Sequence, residues 1–483
     1  MPDLNYLSIT EAHELLVAKK ISAQELTEFY IGKIRNLNPK IRAILTVCES
    51  QALKQAKKVD TKIASGAEIG LLEGIPYTAK DMFLTKGIRT TAASKILEDY
   101  TPPYSATVIE KLDQAGAVLI AKVNQDEFAH GGSTENSSYH VTHNPWDLDR
   151  VPGGSSGGSA ASVAADFGIF SLGTDTGGSI RQPASYCGVT GFKPTYGVVS
   201  RYGVIAMASS FDCIGPLARS AEDAQIVFEV IAGKDSKDST TIALSDKTLS
   251  DKSPVGKLKA VFYDDEDSDV VSNGVAAIDG SLLDIRTEAS IAELVPLELA
   301  LAAYYVLVPS EISSNLERYD GVRYGSKAKD SKDLLDSYMK TRSEFLGPEV
   351  VRRNIIGTYA LSAGYYDAYY KKAMQVRTLI IESLNKVFEA NDAILVPTTL
   401  EPAFKLGSKT DPVEMYKTDL LTVFANLAGV PAISIPIGFE PTTGLPMGLQ
   451  IIGKQGDDKK VLAIAKNIQS DSDWHNKLKE LKL

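Results

Sequence analysis

The sequence predicts an α/β protein: a large, twisted, mixed sheet covered by helices on both faces, preceded by a helical N-terminal segment. Three observations carry this. From Gly70 onward, short apolar runs alternate with helical stretches, the order that builds a sheet between two helical layers. The runs are short and continuously apolar, as in strands buried on both faces. The first 65 residues carry helix-start signals instead. At 483 residues, with 44% hydrophobic and 23% charged residues, the chain has ample material for a large core. The reading places all of it in one domain, with residues 1–65 as the helical segment and 66–483 as the α/β core.

Taken in order, Ser8-Ile9-Thr10-Glu11 and Ser22-Ala23-Gln24-Glu25 are capping boxes, so two helices open the chain. Leu26, Phe29, Tyr30 and Ile34 form an apolar face at helical spacing, and Asn38-Pro39 is expected to end that helix. A third helix is predicted over 49–63. Strands are predicted at 75–79, 116–121, 167–172, 393–396, 432–437 and 447–452. Across about 235–284, Ser, Asp, Lys and Gly rise and apolar periodicity fades, which reads as a surface excursion within the one domain.

Composition narrows the function classes. A net charge of −10 argues against this chain alone gripping a nucleic-acid backbone. Cys48, Cys187 and Cys213 have no CxxC spacing and read as unpaired thiols, which with the lack of a secretory pattern at the N-terminus points to a cytoplasmic protein. The longest apolar stretch, 297–308, is interrupted by Glu298 and is too short to span a bilayer.

The most informative stretch is 153–181. Gly153-Gly154-Ser155-Ser156-Gly157-Gly158-Ser159 precedes Gly173-Thr174-Asp175-Thr176-Gly177-Gly178-Ser179-Ile180-Arg181. Glycine beds let backbone N–H groups converge on one point, the way an oxyanion is stabilised beside a serine nucleophile. A serine nucleophile needs a base. The five histidines (His13, His130, His140, His143, His475) show no orienting-acid pattern. Lys80, at the end of the strand in Gly74-Ile75-Pro76-Tyr77-Thr78-Ala79-Lys80-Asp81, is the alternative, because burial drives an ammonium toward its neutral, basic form. Gly153-Gly154-Ser155-Ser156-Gly157 also fits the G-x-S-x-G elbow, but His475, in a charged tail, is the only histidine downstream. Ser326-Lys327-Ala328-Lys329 fits S-x-x-K in a solvated Lys/Asp stretch and reads as chance.

In their order and spacing, these three motifs resemble the amidase signature family over nearly the whole chain. The resemblance implies an α/β/α fold around a twisted sheet and a Ser-Ser-Lys triad. Ser179 is then the nucleophile, Ser155 the bridging serine beside an unusual cis peptide bond, and Lys80 the base. The N–H groups of Thr176, Gly177, Gly178 and Ser179 are implied as the oxyanion hole, with the dipole of a helix opening near Ile180 in support.

Further stretches resemble the glutamine-hydrolysing members that serve tRNA-dependent amidotransferases. These are Asp126-Glu127-Phe128-Ala129, Ser133-Thr134-Glu135-Asn136-Ser137, Asn144-Pro145-Trp146-Asp147, the Asn- and Tyr-bearing segment 313–325, and the Tyr-rich segment 357–370. That resemblance implies glutamine as substrate. It implies two partners, one amidating and kinase-like, the other small and bridging, with tRNA contact mainly through the amidating partner. ATP and Mg would act on that partner, with no cofactor in this chain. Glu-tRNA(Gln), and in some members Asp-tRNA(Asn), receives the ammonia. Arg353 or its neighbour Arg352, Asp419, Tyr304 or Tyr305, and Gly131 are implied as glutamine contacts. His130-Gly131-Gly132-Ser133 departs from the Met-Gly-Ser-Ser usual there. His130, His140 and His143 lack flanking cysteines or paired carboxylates, so no metal site is assigned. Two other readings use the same residues: a stand-alone amidase of small or aryl amides, and an inactive structural subunit, which intact Lys80, Ser155 and Ser179 argue against.

Overall fold

A computed structural model describes residues 2–243, 258–263, 269–276, 278, 283–288, 294–481 and 483. Among the described residues eleven strands, β1 Ile44–Val47, β2 Pro76–Lys80, β3 Val118–Val123, β4 Phe170–Asp175, β5 Thr190–Lys193, β6 Cys213–Ala218, β7 Leu258–Tyr263, β8 Leu283–Glu288, β9 Ala393–Pro397, β10 Ala432–Phe439 and β11 Pro446–Gly453, form one sheet. Their order is β1-β3-β2-β4-β6-β5-β10-β11-β9-β7-β8. β3, β2 and β4 run parallel. From β4 through β6, β5, β10, β11 and β9 each neighbour is antiparallel, and β9, β7 and β8 are again parallel.

Successive side chains of a strand face opposite sides of its sheet. Leu395 and Phe262 enter one apolar core, while Ile394, Val396, Val261 and Tyr263 enter another. Every residue of β2, β3, β4 and β9 is buried, so both faces are covered there. This explains the continuously apolar strand signals. All six predicted strands are present, displaced by up to three residues at their ends.

Both capping boxes form. The Glu11 N–H donates to Ser8 Oγ at 3.1 Å and the Ser8 N–H to Glu11 Oε2 at 2.7 Å. Ser22 and Glu25 repeat the pattern at 3.0 and 2.8 Å. These caps start helices Ile9–Val17 and Ala23–Ile41. The second helix does not stop at Pro39. In the last turn the missing N–H forfeits only the bond to the Arg35 carbonyl, so the proline is tolerated. The stop is Arg42 at φ 57°, whose N–H donates to the Asn38 carbonyl at 2.7 Å. Asn38 Oδ1 then accepts the N–H groups of Ala43 and Ile44 at 2.9 and 3.0 Å.

Two further expectations change. The helical N-terminal segment also supplies β1, the edge strand antiparallel to β3. The described part of 235–284 is not a surface excursion: β7 and β8 extend the sheet beyond β9, with helix Asp269–Ala276 between them.

Candidate active site

Lys80 ends β2, Asp175 ends β4 one strand away, and Ser155 precedes helix Gly157–Ala164. The sheet centre thus delivers the lysine and both glycine beds to one place. The Gly154–Ser155 peptide is cis. A Cβ on Gly158 would strike the Asn124 backbone, so that glycine lets the helix start press directly on the chain leaving β3.

Lys80 is fully buried. Its Nζ lies 2.7 Å from Ser155 Oγ, 2.9 Å from Ser156 Oγ and 2.8 Å from Thr174 Oγ1. Two of those hydroxyls spend their own protons elsewhere: Ser156 Oγ donates to the Thr174 carbonyl at 2.9 Å, and Thr174 Oγ1 to Met82 Sδ at 3.8 Å. Both therefore accept from Lys80. Ser155 Oγ has no other partner among the described residues, so its proton is the one an uncharged Nζ can receive. Burial pulls the Lys80 pKa down to about 7, against the opposing pull of Asp126, Asp175 and Asp212.

The turn after β4 carries the second bed. Burial pushes the Asp175 carboxyl up, but Arg181, Lys193 and the Asn426 amide reverse this and hold it well below the usual carboxylate range. Arg181 grips it through Nη2–Oδ1 at 2.9 Å and Nε–Oδ2 at 3.0 Å. Asp175 also accepts the N–H groups of Gly178 (2.9 Å), Ile180 (3.1 Å) and Arg181 (3.4 Å). Two expectations change here. The Gly178 N–H is committed to Asp175, so it leaves the oxyanion-hole set. Helix Arg181–Cys187 does begin after Ile180, but its leading N–H groups are capped by the same carboxylate instead of facing a ligand. The N–H groups of Thr176, Gly177 and Ser179 have no acceptor among the described residues.

Ser179, half-buried, follows Gly178 in this turn. The Ser156 N–H donates to its carbonyl at 3.1 Å, tying the two beds together. No hydrogen bond joins the Ser155 and Ser179 hydroxyls among the described residues.

Tyr304, Tyr305, Arg353 and Asp419 converge on the same turn from later in the chain. A Cβ on Gly177 would strike the Tyr304 ring, and one on Gly178 would strike Thr422. Thr422 Oγ1 donates to the Gly177 carbonyl at 2.6 Å, and its N–H to the Asp419 carbonyl at 3.0 Å. Tyr305 donates its hydroxyl to Asp419 Oδ2 at 2.8 Å and stacks on Tyr416, ring centroids 3.9 Å apart. The Arg353 guanidinium lies 5.2 and 5.3 Å from those two ring centroids and donates through Nε to Glu349 Oε1 at 2.8 Å. Of the two candidate arginines, Arg353 is buried at this cluster and Arg352 is exposed. Both tyrosines belong to it, Tyr304 against the glycine turn and Tyr305 on Asp419. Burial raises the Asp419 pKa to about 7, against the Tyr305 hydroxyl and Arg353.

Gly131 sits on a loop held by Asp126, whose carboxylate accepts the Thr134 N–H at 2.9 Å and the Asn136 N–H at 3.1 Å. The Asp126 N–H reaches the Ser155 carbonyl at 3.3 Å. His130 pairs Nδ1 with the Phe128 carbonyl at 2.7 Å, and burial lowers its pKa to about 3, so the ring is neutral and donates there. His140 and His143 are not gathered with it: His140 lies on Asn124, and His143 Nδ1 pairs with the Leu148 carbonyl. Among the described residues no group of three or more His, Cys, Asp or Glu is placed to hold a metal ion. The three thiols are free and buried, which pushes the Cys48 and Cys213 pKa values up to about 12 and 11.

Sequence reasoning missed Ser156 and Thr174, the two hydroxyls that leave Ser155 as the proton donor to Lys80. It also missed Glu349 and Tyr416, which orient Arg353. Ser156 was in plain view beside Ser155, and Glu349 lies one helical turn before Arg353. Nothing local points to Thr174 or Tyr416.

A sheet that places a buried lysine on a serine, with a glycine turn whose N–H groups are unclaimed among the described residues, holds the parts that a serine-dependent amidase requires. The chain belongs to the amidase signature family; the family model described as Amidase matches residues 25–462. It is 51% identical over 482 residues to the A component of the glutamyl-tRNA(Gln) amidotransferase of Heliobacterium modesticaldum, covering 98% of each chain. The component of the same description from Trichormus variabilis is 50% identical, with 97% of this chain and 98% of that one covered. Among solved structures, the corresponding glutamyl-tRNA(Gln) amidotransferase component of Thermotoga maritima superposes with a TM-score of 0.78 at 39% identity, over 98% of this chain and 96% of that one.

Proposed function

We propose that the chain is the glutamine-hydrolysing subunit of a tRNA-dependent amidotransferase. The observation that carries the chemistry is the buried Lys80 contact with Ser155, the one hydroxyl at that amine whose proton has no other acceptor among the described residues. The names of relatives at about half identity carry the choice of substrate.

Uncharged Lys80 takes the Ser155 proton while Ser155 takes that of Ser179. Substrate binding brings the two hydroxyls into contact, since catalytic hydrogen bonds tighten in the reacting complex. Ser179 Oγ bonds to the side-chain carbonyl carbon of glutamine, and the resulting oxyanion accepts the N–H groups of Thr176, Gly177 and Ser179. Comparable sites lose about 3–4 kcal/mol of transition-state stabilisation with one such donor. Ser155 passes a proton to the departing nitrogen, the C–N bond breaks, and ammonia leaves an acyl-enzyme. Water, deprotonated by the same relay, releases glutamate and regenerates Ser179.

Arg353 binds the glutamine α-carboxylate and Asp419 its α-ammonium by charge-assisted hydrogen bonds. Tyr304 lies along the side chain toward Gly177, and Gly131 contributes backbone to the pocket wall. The ammonia serves an amidating, kinase-like partner subunit, which uses ATP and Mg to convert Glu-tRNA(Gln), or Asp-tRNA(Asn), to the amidated form, with a small third subunit bridging the two. The partner holds most of the tRNA, in the cytoplasm. Among the described residues no helix is long and apolar enough to cross a membrane.

The test is transamidation of misacylated tRNA by the assembled complex. Ser179→Ala is expected to abolish the glutamine-dependent reaction and leave the ammonium-dependent one intact. Full glutamine-dependent activity in that variant would overturn the nucleophile assignment. Rapid hydrolysis of simple amides by the isolated chain, indifferent to partners and tRNA, would establish a stand-alone amidase instead.

A further inference from the structure

Glu127 is a buried carboxylate that neither the relay nor the proposed substrate contacts use. It forms no ion pair among the described residues. Taking a carboxylate out of water is costly unless donors meet it, so the donors that do meet it are informative. Ser94 donates its hydroxyl to Oε1, and the Gly347 N–H donates to Oε2 at 2.7 Å. Burial raises the Glu127 pKa to about 7, while these two bonds and Ser138 pull it down.

Gly347 stands immediately before helix Pro348–Leu361, the helix that carries Arg353, and brings no side-chain cap of its own. The start of that helix is held from outside, by Glu127, and the helix dipole favours a negative group there. A Cβ on Gly347 would strike Glu127 Oε2, although its φ of −71° suits any residue. The glycine therefore serves the close approach of the carboxylate and not an unusual backbone angle.

The turn that presents Glu127 is itself held in a demanding shape. Phe128 and Ala129 adopt φ of 48° and 65°, in the left-handed region that non-glycine residues rarely enter. Such a conformation persists only where its surroundings fix it. The Phe128 N–H donates to the Ala92 carbonyl at 2.9 Å, the His130 N–H to the Glu127 carbonyl at 2.8 Å, and the Phe128 ring lies 4.9 Å from that of Tyr319. One residue earlier, the Asp126 N–H ties the same chain to the Ser155 carbonyl. Neighbouring residues of one turn thus hold the serine loop and the arginine helix.

Helix Pro348–Leu361 has a second fixed point. A Cβ on Gly357 would strike the Pro309 carbonyl of helix Leu297–Leu316, so the two helices meet closely there. Arg353 lies between the two points, about 9 Å along the axis from Gly347. A small shift of the helix start moves the guanidinium relative to a carboxylate it must meet, and a misplacement of about 1 Å can cost two orders of magnitude.

We propose that Glu127 is a positioning residue for the substrate: it anchors Gly347, and through the helix beginning there it aims Arg353 at the glutamine α-carboxylate. The inference rests on the role given to Arg353 above. The test is steady-state glutamine hydrolysis by the full-length chain assembled with its partner subunits, with KM and kcat read separately. Glu127→Leu is expected to raise KM about ten-fold and to leave kcat within about two-fold. Glu127→Gln, which keeps an acceptor for the Gly347 N–H, should bring KM back to within about three-fold of wild type. Gly347→Ala keeps the carboxylate but drives it from the helix start. It should raise KM as Glu127→Leu does, and it carries the test if the leucine variant does not fold. In an Arg353→Met background either change should add less than about two-fold, because the group being aimed is gone. Additive KM effects in that background, or a fall in kcat with KM unchanged, would overturn the inference. Arg353→Met alone separates the two readings. If it raises KM while the Glu127 and Gly347 variants do not, the arginine contact stands and the positioning role falls. If Arg353→Met leaves KM unchanged, the substrate contact falls and the inference with it.

Discussion

The proposed chemical end of the site and its proposed substrate end are built differently. Lys80, Ser155, Asp175 and Arg181 lie within about a hundred residues of chain and hang from the ends of strands buried on both faces, or from the helices beginning beside them. Each is over-determined: Lys80 touches three hydroxyls, and Asp175 accepts from three backbone N–H groups and two side chains. Tyr304, Tyr305, Arg353 and Asp419 come from helices and short turns spread over more than a hundred residues, joined by ring stacking and single hydrogen bonds. On the proposed assignment the chemistry hangs from the sheet and the substrate contacts from helices laid over it, so the second set can change without disturbing the first.

If that division holds, substitutions in the two regions should fail in different ways. Lys80→Met or Ser179→Ala should remove about four to six orders of magnitude from kcat for glutamine hydrolysis, because residues acting as one relay fail together. Retention of substantial activity by Lys80→Met would break the comparison at its stronger end. Arg353→Met should raise KM about 30- to 100-fold, the worth of a charge-assisted bond, with kcat affected much less. A kcat loss on the scale of Lys80→Met would show that the arginine belongs to the chemical end.

The pH dependence sharpens the division. Protonated Lys80 cannot accept the Ser155 proton, so kcat should rise with pH through about 7. The Asp126 carboxylate favours the charged lysine. Asp126→Asn should therefore move that limb to lower pH, and a shift to higher pH would contradict the electrostatics. Asp419, raised to about 7, loses its charge as pH falls, which should weaken glutamine binding and steepen the acidic limb of kcat/KM. Asp419→Asn should remove that contribution and leave the kcat limb in place. The smallest expected effect is that of Tyr305→Phe: about a five-fold rise in KM from one hydrogen bond to Asp419, measured by steady-state kinetics.

The same contrast explains what could be read from the sequence. The glycine beds and Lys80 were legible because converging N–H groups demand glycine locally and the motifs lie close together in the chain. The proposed glutamine contacts came through family likeness alone. Neither Arg352 nor Arg353 looks special until helix Pro348–Leu361 is seen to turn one inward and the other outward. The choice between Tyr304 and Tyr305 dissolved because adjacent residues of one helix serve different neighbours, the Gly177 turn and Asp419. Removal of Gly178 from the oxyanion set depends on where the Asp175 carboxylate points, which no spacing encodes. In the fold, buried strands such as β4 and β9 announced themselves, whereas β1, four residues at an edge, and β7, in a Ser- and Asp-rich stretch, did not. Pro39 misled because its cost depends on position within the helix, and only the left-handed Arg42 shows that the last turn had been reached.

The most direct test is the titration of the Lys80 amine itself, followed by 15N NMR of Nζ in the full-length chain labelled at lysine, with Lys80→Met to assign the resonance. An amine that loses its proton near pH 7 is the expected result, with the midpoint lowered further by Asp126→Asn. A Lys80 amine that stays charged above pH 9 would contradict the account, because no base would then be present to draw the proton from Ser155.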